Sequence, residues 1–498
     1  MTAEISRRST LKIAGIAAGA AGLGAGTGLA ATPASAAGSG FAHPGLLHTT
    51  ADLARMAAKV KAGAQPYTAG FARLTANRHA QSGWRANPQT TVVRGGTGQN
   101  YVTLYNDIHA AYQNGLRHHV SGEDAHADTA VAILNDWSAK LTSLAGNADR
   151  FLAAGLYGYQ FANAAELVRD HPDFALDRFQ EMLSEVFAPL SDDFPVRHNG
   201  AVITNYWPNW DLANMACVLA GGIFCDDKAQ VARAVDYFKN GEGLGAVRKA
   251  IPVVHEDGLA EWLEAGRDQG HALLGVGLMG TFCEMAWNQG IDLYGYDDNR
   301  FLKGAQYVAK WAMGGEVPYT ANTRAKGAVD GWSGRETASD AAAVDPNMTR
   351  PIWAMIANHY TKRRGLDASY LARTAARAAP EGGGGDYGPN SGGYDQLGFG
   401  TLAFTRDRAT AAEASAPPST STSTSTSTAA GSGSGSGAKT SASSASPSAG
   451  AQNGRGEDLA ATGTSDFPAW TAASGLAALT GGLLLLRRRT GSGGGRQS

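Results

Sequence analysis

Cysteine is scarce, with 3 residues in a chain of 498. That excludes a disulfide-stapled scaffold, and an odd count forbids full pairing within one molecule. No Cys-x-x-Cys pair exists, so the commonest thiolate zinc sites are excluded too. Charge is also sparse, at 17% of residues, and it is balanced: 42 Lys plus Arg face 44 Asp plus Glu, for a formal net charge of −2. No basic field argues for nucleic acid as a partner. Strand-type alternation of apolar and polar residues is hard to find. Glycine is abundant instead, at 65 residues, so part of the length is low-complexity and packs no core. What remains is one sizeable globular domain between two unusual ends.

At the N-terminus, Ser6-Arg7-Arg8-Ser9-Thr10-Leu11-Lys12 precedes an Ala/Gly-rich, weakly apolar run to Ala31, and Ala34-Ser35-Ala36 follows. Small residues thus occupy the two positions that a signal peptidase reads. This order predicts a twin-arginine signal peptide over 1–36 and the twin-arginine translocase as a partner. Such export carries proteins already folded in the cytoplasm, which suits a chain that does not depend on disulfides.

The C-terminal side opens with a Ser/Thr/Gly/Ala linker over 413–457, which cannot bury enough apolar surface to offset its chain entropy. Leu459-Ala460-Ala461-Thr462-Gly463 follows, then an apolar stretch from Phe467 to Leu486, then Arg487-Arg488-Arg489. That stretch is long enough to cross a bilayer, with the arginines held in the cytoplasm. Together, 458–498 resembles a sortase cell-wall sorting signal. The resemblance implies cleavage between Thr462 and Gly463, with Thr462 joined to peptidoglycan by sortase. An ordinary membrane tail is the alternative, and both put the domain outside the cell; the expected location is extracellular and cell-wall anchored.

Residues 37–412 form the expected catalytic domain. Apolar residues there recur at helical spacing, and Ala, Leu and Met outnumber runs of Val, Ile and Thr. Helices are predicted at Ala125–Leu144, Arg150–Arg169, Pro208–Phe224, Asp227–Phe238, Arg267–Trp287, Asn299–Met313 and Pro351–Arg363. Pro208 and Asp227 stand where helix starts want them. The expected class is all-α: an (α/α) toroid, or incomplete barrel, of antiparallel helix pairs.

Chemistry-bearing residues gather between Asn199 and Arg324. Asn205-Tyr206-Trp207-Pro208-Asn209-Trp210-Asp211 packs aromatics and amides at a helix start. Glu264, Arg267, Asp268 and His271 fall at i, i+3, i+4 and i+7, one polar stripe if the helix runs through them. Such a stripe is either a buried ion-pair network or a site. Asn205 and Asn209 also suit caps and turns, and Trp207 and Trp210 suit either a core or a sugar-stacking platform. His255 lies in a polar loop where a solvated ring is the default. Cys217, Cys225 and Cys283 read as small buried hydrophobes. If the helices from Pro208 and Arg267 are both inner helices, their N-termini share one end of the barrel. The second is about 30 Å long, so Tyr294 and Arg300 fall at the far end, and the next helix returns Tyr319 and Arg324 to Asn209 and His271.

Several stretches then carry a resemblance. They are His43-Pro44-Gly45-Leu46-Leu47-His48-Thr49, the run from Ala153 to Glu166, Asn209-Trp210-Asp211, Gly266-Arg267-Asp268-Gln269-Gly270-His271 and Asp292-Leu293-Tyr294. Across residues 40–405 the chain resembles the alginate lyase family. The resemblance implies a toroid that cleaves an anionic uronic-acid polysaccharide, alginate or glucuronan-like, by β-elimination, with no metal or organic cofactor. In such chemistry the sugar carboxylate must be neutralised before its neighbouring C5 proton can leave. A base takes that proton, and an acid protonates the O4 leaving group. Asn209 would be the neutralising amide with Arg267 beside it, His271 the base and Tyr319 the acid. Asn205, Tyr206, Trp207, Trp210, His255 and Arg324 are the expected substrate contacts. Two rivals remain: a glycoside hydrolase using Asp211 with Glu264 or Asp268, and a non-catalytic polysaccharide-binding module.

Overall fold

The computed structural model describes residues 40–417 except 330 and 332. The expected signal peptide, the sorting motif Leu459, Ala460, Ala461, Thr462 and Gly463, and the apolar stretch 467–486 lie outside the described residues. Helix dominates what is described. In chain order the helices are α1 (Thr50–Lys61), α2 (Tyr67–Ala76), α3 (Tyr101–Ser121), α4 (Asp124–Ser138), α5 (Asp149–Glu166), α6 (Leu176–Met182), α7 (Ala188–Arg197) and α8 (Pro208–Phe224). They continue with α9 (Lys228–Asn240), α10 (Val247–Ala250), α11 (Gln269–Asn288), α12 (Tyr296–Ala312), α13 (Trp353–Asn358), α14 (Ser369–Ala378), α15 (Gly400–Ala403) and α16 (Ala411–Ser415).

Composition sorts these helices into inner and outer sets. α5 is apolar or small almost all round, and every residue but Arg150 is buried; in α8 only Gly221 escapes full burial. A helix without a polar face must be covered on all sides. α9, α12 and α14 are amphipathic and bury one stripe each. The inner helices pack in chain order, α3 on α5, α5 on α8 and α8 on α11, with α4, α9 and α12 laid against α3, α8 and α11. Contacts continue from α11 through α13 and α15 to α1, and from α1 back to α3. Each large apolar side chain in this core, such as Phe161 or Phe224, gains about 1.5–3 kcal/mol from burial. Glycine permits the tightest crossing: a Cβ on Gly155 would lie 2.7 Å from the Ala213 carbonyl carbon of α8.

Several helix ends depart from expectation. The helix expected over 125–144 stops at Ser138, and Ser143–Ala145 pairs in parallel with Thr91–Val93 as strands β2 and β1. The helix expected to end at Arg169 stops at Glu166. Pro351–Arg363 shortens to α13, followed by a π turn over His359–Arg363. The all-α expectation also misses an antiparallel hairpin, β3 (Asn322–Gly327) with β4 (Ser333–Ala338). Its strands are polar on both faces, so no alternation announces them. Cross-strand pairs hold it instead: Arg324 opposite Glu336, and Thr323 Oγ1 2.7 Å from Thr337 Oγ1. Among the described residues, no helix is long and apolar enough to cross a membrane.

Candidate active site

The polar stripe expected through Glu264, Arg267, Asp268 and His271 is not helical. Leu263–Gly266 forms a 3-10 turn, and Asp268 is fully extended (φ −169°, ψ 163°) as the N-cap of α11. An aspartate at this position satisfies an otherwise orphaned N–H of the first helical turn. Asp268 Oδ1 accepts from the His271 backbone N–H at 2.8 Å, and Oδ2 accepts from His271 Nδ1 at 2.7 Å. Arg267 lies 3.1 Å from Glu264 Oε1 and 3.4 Å from Asp268 Oδ2. The four side chains therefore meet around a cap instead of along a helix face.

The start of α8 joins the same cluster. Glu264 Oε1 accepts from Asn209 Nδ2 at 2.5 Å, and Oε2 accepts from the Asn209 backbone N–H at 3.3 Å. A carboxylate on these first N–H groups is favoured by the helix dipole. Burial pushes the Glu264 carboxyl upward, while Arg267, His271 and the Asn209 bond pull it down. For Asp268, burial also pushes upward, but the His271 hydrogen bond and the charges of His271 and Arg267 prevail and hold it at about 2. Asp268 is thus an anion at any working pH and can only accept, so the proton shared with His271 sits on Nδ1. Nε2 is then the ring nitrogen that points away from Asp268.

Tyr319 reaches the cluster from the loop after α12. Its hydroxyl donates to the Leu263 carbonyl at 2.9 Å, directly over Gly266, where any Cβ would collide with it. Burial, then the nearby Glu261 and Glu264, push the phenol upward, so it stays protonated. Arg324 lies across the Trp207 ring, 4.2 Å from its centroid, with Arg267 at 5.9 Å. Its guanidinium also ties β3 to the carbonyls of Thr204 and Asn205 and to Glu336.

A cavity of about 500 Å³ opens beside this cluster, walled by Asp268, Gly270, His271 and Leu274 on one side and by Asp345, Met348, Arg350, Tyr387 and Asp395 on the other. His271 thus stands on the cavity wall. Asn209 does not: it is 1% exposed and spends its side-chain donor on Glu264. In this structure the Asn209 amide is held by Glu264 and is not part of the cavity wall.

Other expected contacts pack inward. Tyr206 and Trp210 are each 2% exposed and form an aromatic cluster with Phe194, which stacks on Trp210 and meets Tyr206 edge to face. Asn205 is buried and accepts from the Gly327 backbone N–H at 3.0 Å, so it anchors the hairpin. Core packing claims Tyr206 and Trp210, and turn closure engages the Asn205 amide oxygen. His255 is half-buried, 3.7 Å from Glu261, which accepts from the Thr320 N–H at 2.7 Å; it supports the Tyr319 loop from behind. Asp211 is fully buried and accepts from the Gly245 N–H and the Tyr237 hydroxyl, with His198 Nε2 at 2.8 Å. Tyr294 lies at the far end of α11, sealed in the core with its hydroxyl on Gly280 O and Glu284.

Sequence reasoning passed over Arg350, Tyr387 and Asp395. For Tyr387 and Asp395 the signal was the glycine run around them, Gly382–Gly385 and Gly392–Gly393, which marks a backbone that must approach other groups closely.

A family model described as alginate lyase matches residues 63–317. Among solved structures, the apo form of a His-to-Ala variant of alginate lyase A1-III aligns over 72% of this chain and 95% of that chain, at 14% identity and a TM-score of 0.46. Alginate lyase A1-III from Sphingomonas species A1 covers 52% and 76%, at 18% identity and 0.39. An alginate lyase from Bacteroides ovatus covers 52% and 82%, at 16% and 0.37. No curated protein matches the chain.

Proposed function

The chain belongs to the alginate lyase family, and on that premise we propose that it is a polysaccharide lyase cleaving a uronic-acid polymer by β-elimination. The observation that carries this reading is the seat of His271: an imidazole on a cavity wall, its Nδ1–H taken by a permanently ionised Asp268, its Nε2 left as the basic nitrogen. That is the arrangement a general base needs. His271 removes the C5 proton. Arg267 and the N-terminal dipole of α11 stabilise the charge that develops on the sugar carboxylate. Tyr319, kept protonated, is the acid for the O4 leaving group. Glu264 and Asn209 fix the turn that holds Arg267.

The succession of packed helices from α3 round to α1 supports an (α/α) toroid as the scaffold. A glycoside hydrolase would need an available pair of carboxylates, and Asp211 is sealed with all its partners made. The lyase reading is tested by incubating the purified domain with a panel of uronic-acid polymers. Elimination produces a C4–C5 double bond that absorbs in the near ultraviolet. Fresh reducing ends without that chromophore would mean hydrolysis instead, and no change in viscosity would mean a binding module.

Export through the twin-arginine pathway and attachment to the cell wall by sortase complete the proposal, resting on the terminal motifs alone. A chain ending at Ala412 should keep its activity and appear in the medium; retention on the wall would overturn the anchoring.

A further inference from the structure

We propose that Arg324 is a positioning residue for the elimination: it holds the Trp207 ring where that ring supports Arg267, the guanidinium that meets the sugar carboxylate. This rests on the lyase reading, which gives Arg267 that task, and it moves Arg324 from the expected substrate contacts to the support behind them. Trp207 is the N-cap residue of α8 and packs on Leu263, in the turn that leads to α11. Two guanidiniums share its ring. Arg324 lies over it, 4.2 Å from the centroid, and Arg267 stands farther out at 5.9 Å. The indole quadrupole attracts a cation, more strongly where water is excluded, and Trp207 is 9% exposed and Arg324 5%. The two cations also sense each other: burial, then the Arg267 charge, pull the Arg324 pKa down against Glu336. With Arg324 holding the ring, Arg267 is left toward Glu264 Oε1, at 3.1 Å, and Asp268 Oδ2, at 3.4 Å. Asp268 Oδ2 is the atom that also takes His271 Nδ1, so the guanidinium is kept beside the base.

Arg324 is itself tied to the protein. Its guanidinium donates to Thr204 O at 3.1 Å and to Asn205 O, and it pairs with Glu336. The rest of β3 is stitched to the same segment. The Val202 N–H donates to Gly327 O at 2.9 Å, the Gly327 N–H to Asn205 Oδ1 at 3.0 Å, and Thr204 Oγ1 to Ala325 O at 2.8 Å. The end of β4 meets the other side: Ala338 packs against Trp207 and Leu263, and the Ala342 N–H beyond it donates to Ala265 O at 2.8 Å. The hairpin is therefore a clasp between the segment before α8 and the turn before α11, with Arg324 at the point where it touches the ring. Donating to two carbonyls while lying over an indole suits the planar fork of arginine and not the point charge of lysine. Arg324 lies beyond residue 317, where the family match ends.

A double-mutant cycle separates support of Arg267 from plain stability. On the uronic-acid polymer cleaved fastest, followed by ultraviolet absorbance, Arg324→Ala should lower kcat/KM by about 10- to 100-fold, mainly through kcat. Arg324→Lys keeps a charge opposite Glu336 and serves if the alanine variant folds poorly; it should lose less, in the same direction. The decisive comparison sets Arg267→Ala against the double variant Arg267→Ala, Arg324→Ala. Once Arg267 is gone there is nothing left to support, so the double variant should be no slower than Arg267→Ala alone. Losses that multiply would overturn the inference, as would full turnover in both Arg324 variants, and either result leaves the lyase reading standing. Absence of the chromophore from every polymer would sink the lyase reading. In that case, or if Arg267→Ala has no measurable turnover, the same cycle is read by calorimetry on a uronate oligosaccharide. Affinity lost once and not twice supports the link between the two arginines; losses that multiply, or no loss in Arg324→Ala, overturn it.

Discussion

The two ends of α11 carry the same kinds of residue and do different things. At the N-terminal end stand Glu264, Arg267, His271 and Tyr319; at the C-terminal end stand Glu284, Arg363, His359 and Tyr294. Glu284 is 1% exposed, with Arg363 at 2.8 and 3.1 Å and the Tyr294 hydroxyl at 3.1 Å. His359 lies flat on Tyr294, ring centroids 3.6 Å apart, and burial followed by the charge of Arg363 and Arg406 pushes its pKa far down. That end is closed. At the other end the imidazole lines a cavity and the phenol is only half-buried. Residue identity does not separate a site from a structural network; access to a cavity does.

Substitutions sharpen the contrast. His271→Ala should lower kcat by about 10²–10⁴-fold and leave Tm within a few degrees, because the ring lines the cavity and its hydrogen bond goes to the partly exposed Asp268. Glu284→Ala should do the reverse. It strands Arg363 in the core, at a cost of about 3–5 kcal/mol, seen as a large loss of Tm or of the urea midpoint. The tyrosines repeat the contrast at smaller scale. Tyr319→Phe should cut kcat with KM preserved, whereas Tyr294→Phe should cost about 1 kcal/mol of stability and spare turnover. Equal kinetic damage from both tyrosines would collapse the distinction between the two ends.

Legibility in the sequence followed the same division. The inner helices could be read because apolar residues fill their whole circumference, and α8 was placed residue for residue at Pro208–Phe224. Helix length and polarity alone return Tyr319 to the end holding Asn209. Asp268 was misread as helical because an N-cap and a first-turn residue look alike in spacing, and only backbone angles tell them apart. The β3–β4 hairpin was invisible because both faces are polar. Arg350 and Asp395 were missed for a different reason: loops bring them to His271 from about eighty to a hundred and twenty residues away, and no periodicity encodes that meeting.

Glu381 offers the finest test of what burial alone does. It is 2% exposed, like Glu284, but it has no ion-pair partner among the described residues; it accepts only from the Trp353 and Ala354 N–H groups at the start of α13, at 2.8 and 3.0 Å. Burial pushes its carboxyl up to about 7 from an ordinary 4.5, against the pull of those two bonds. A folded value above the unfolded one means that the fold favours the protonated form. This contribution is complete below pH 4.5 and disappears as pH rises through about 7. The total is about 3 kcal/mol. Glu381→Gln keeps an acceptor for the two N–H groups and removes the titration. Native and Gln variants should therefore differ little in Tm near pH 4.5, and the variant should be more stable at pH 8. A Tm difference that stays constant between those two pH values would show that the carboxyl is not carrying this proton, and that a buried acid here can dispense with a cation.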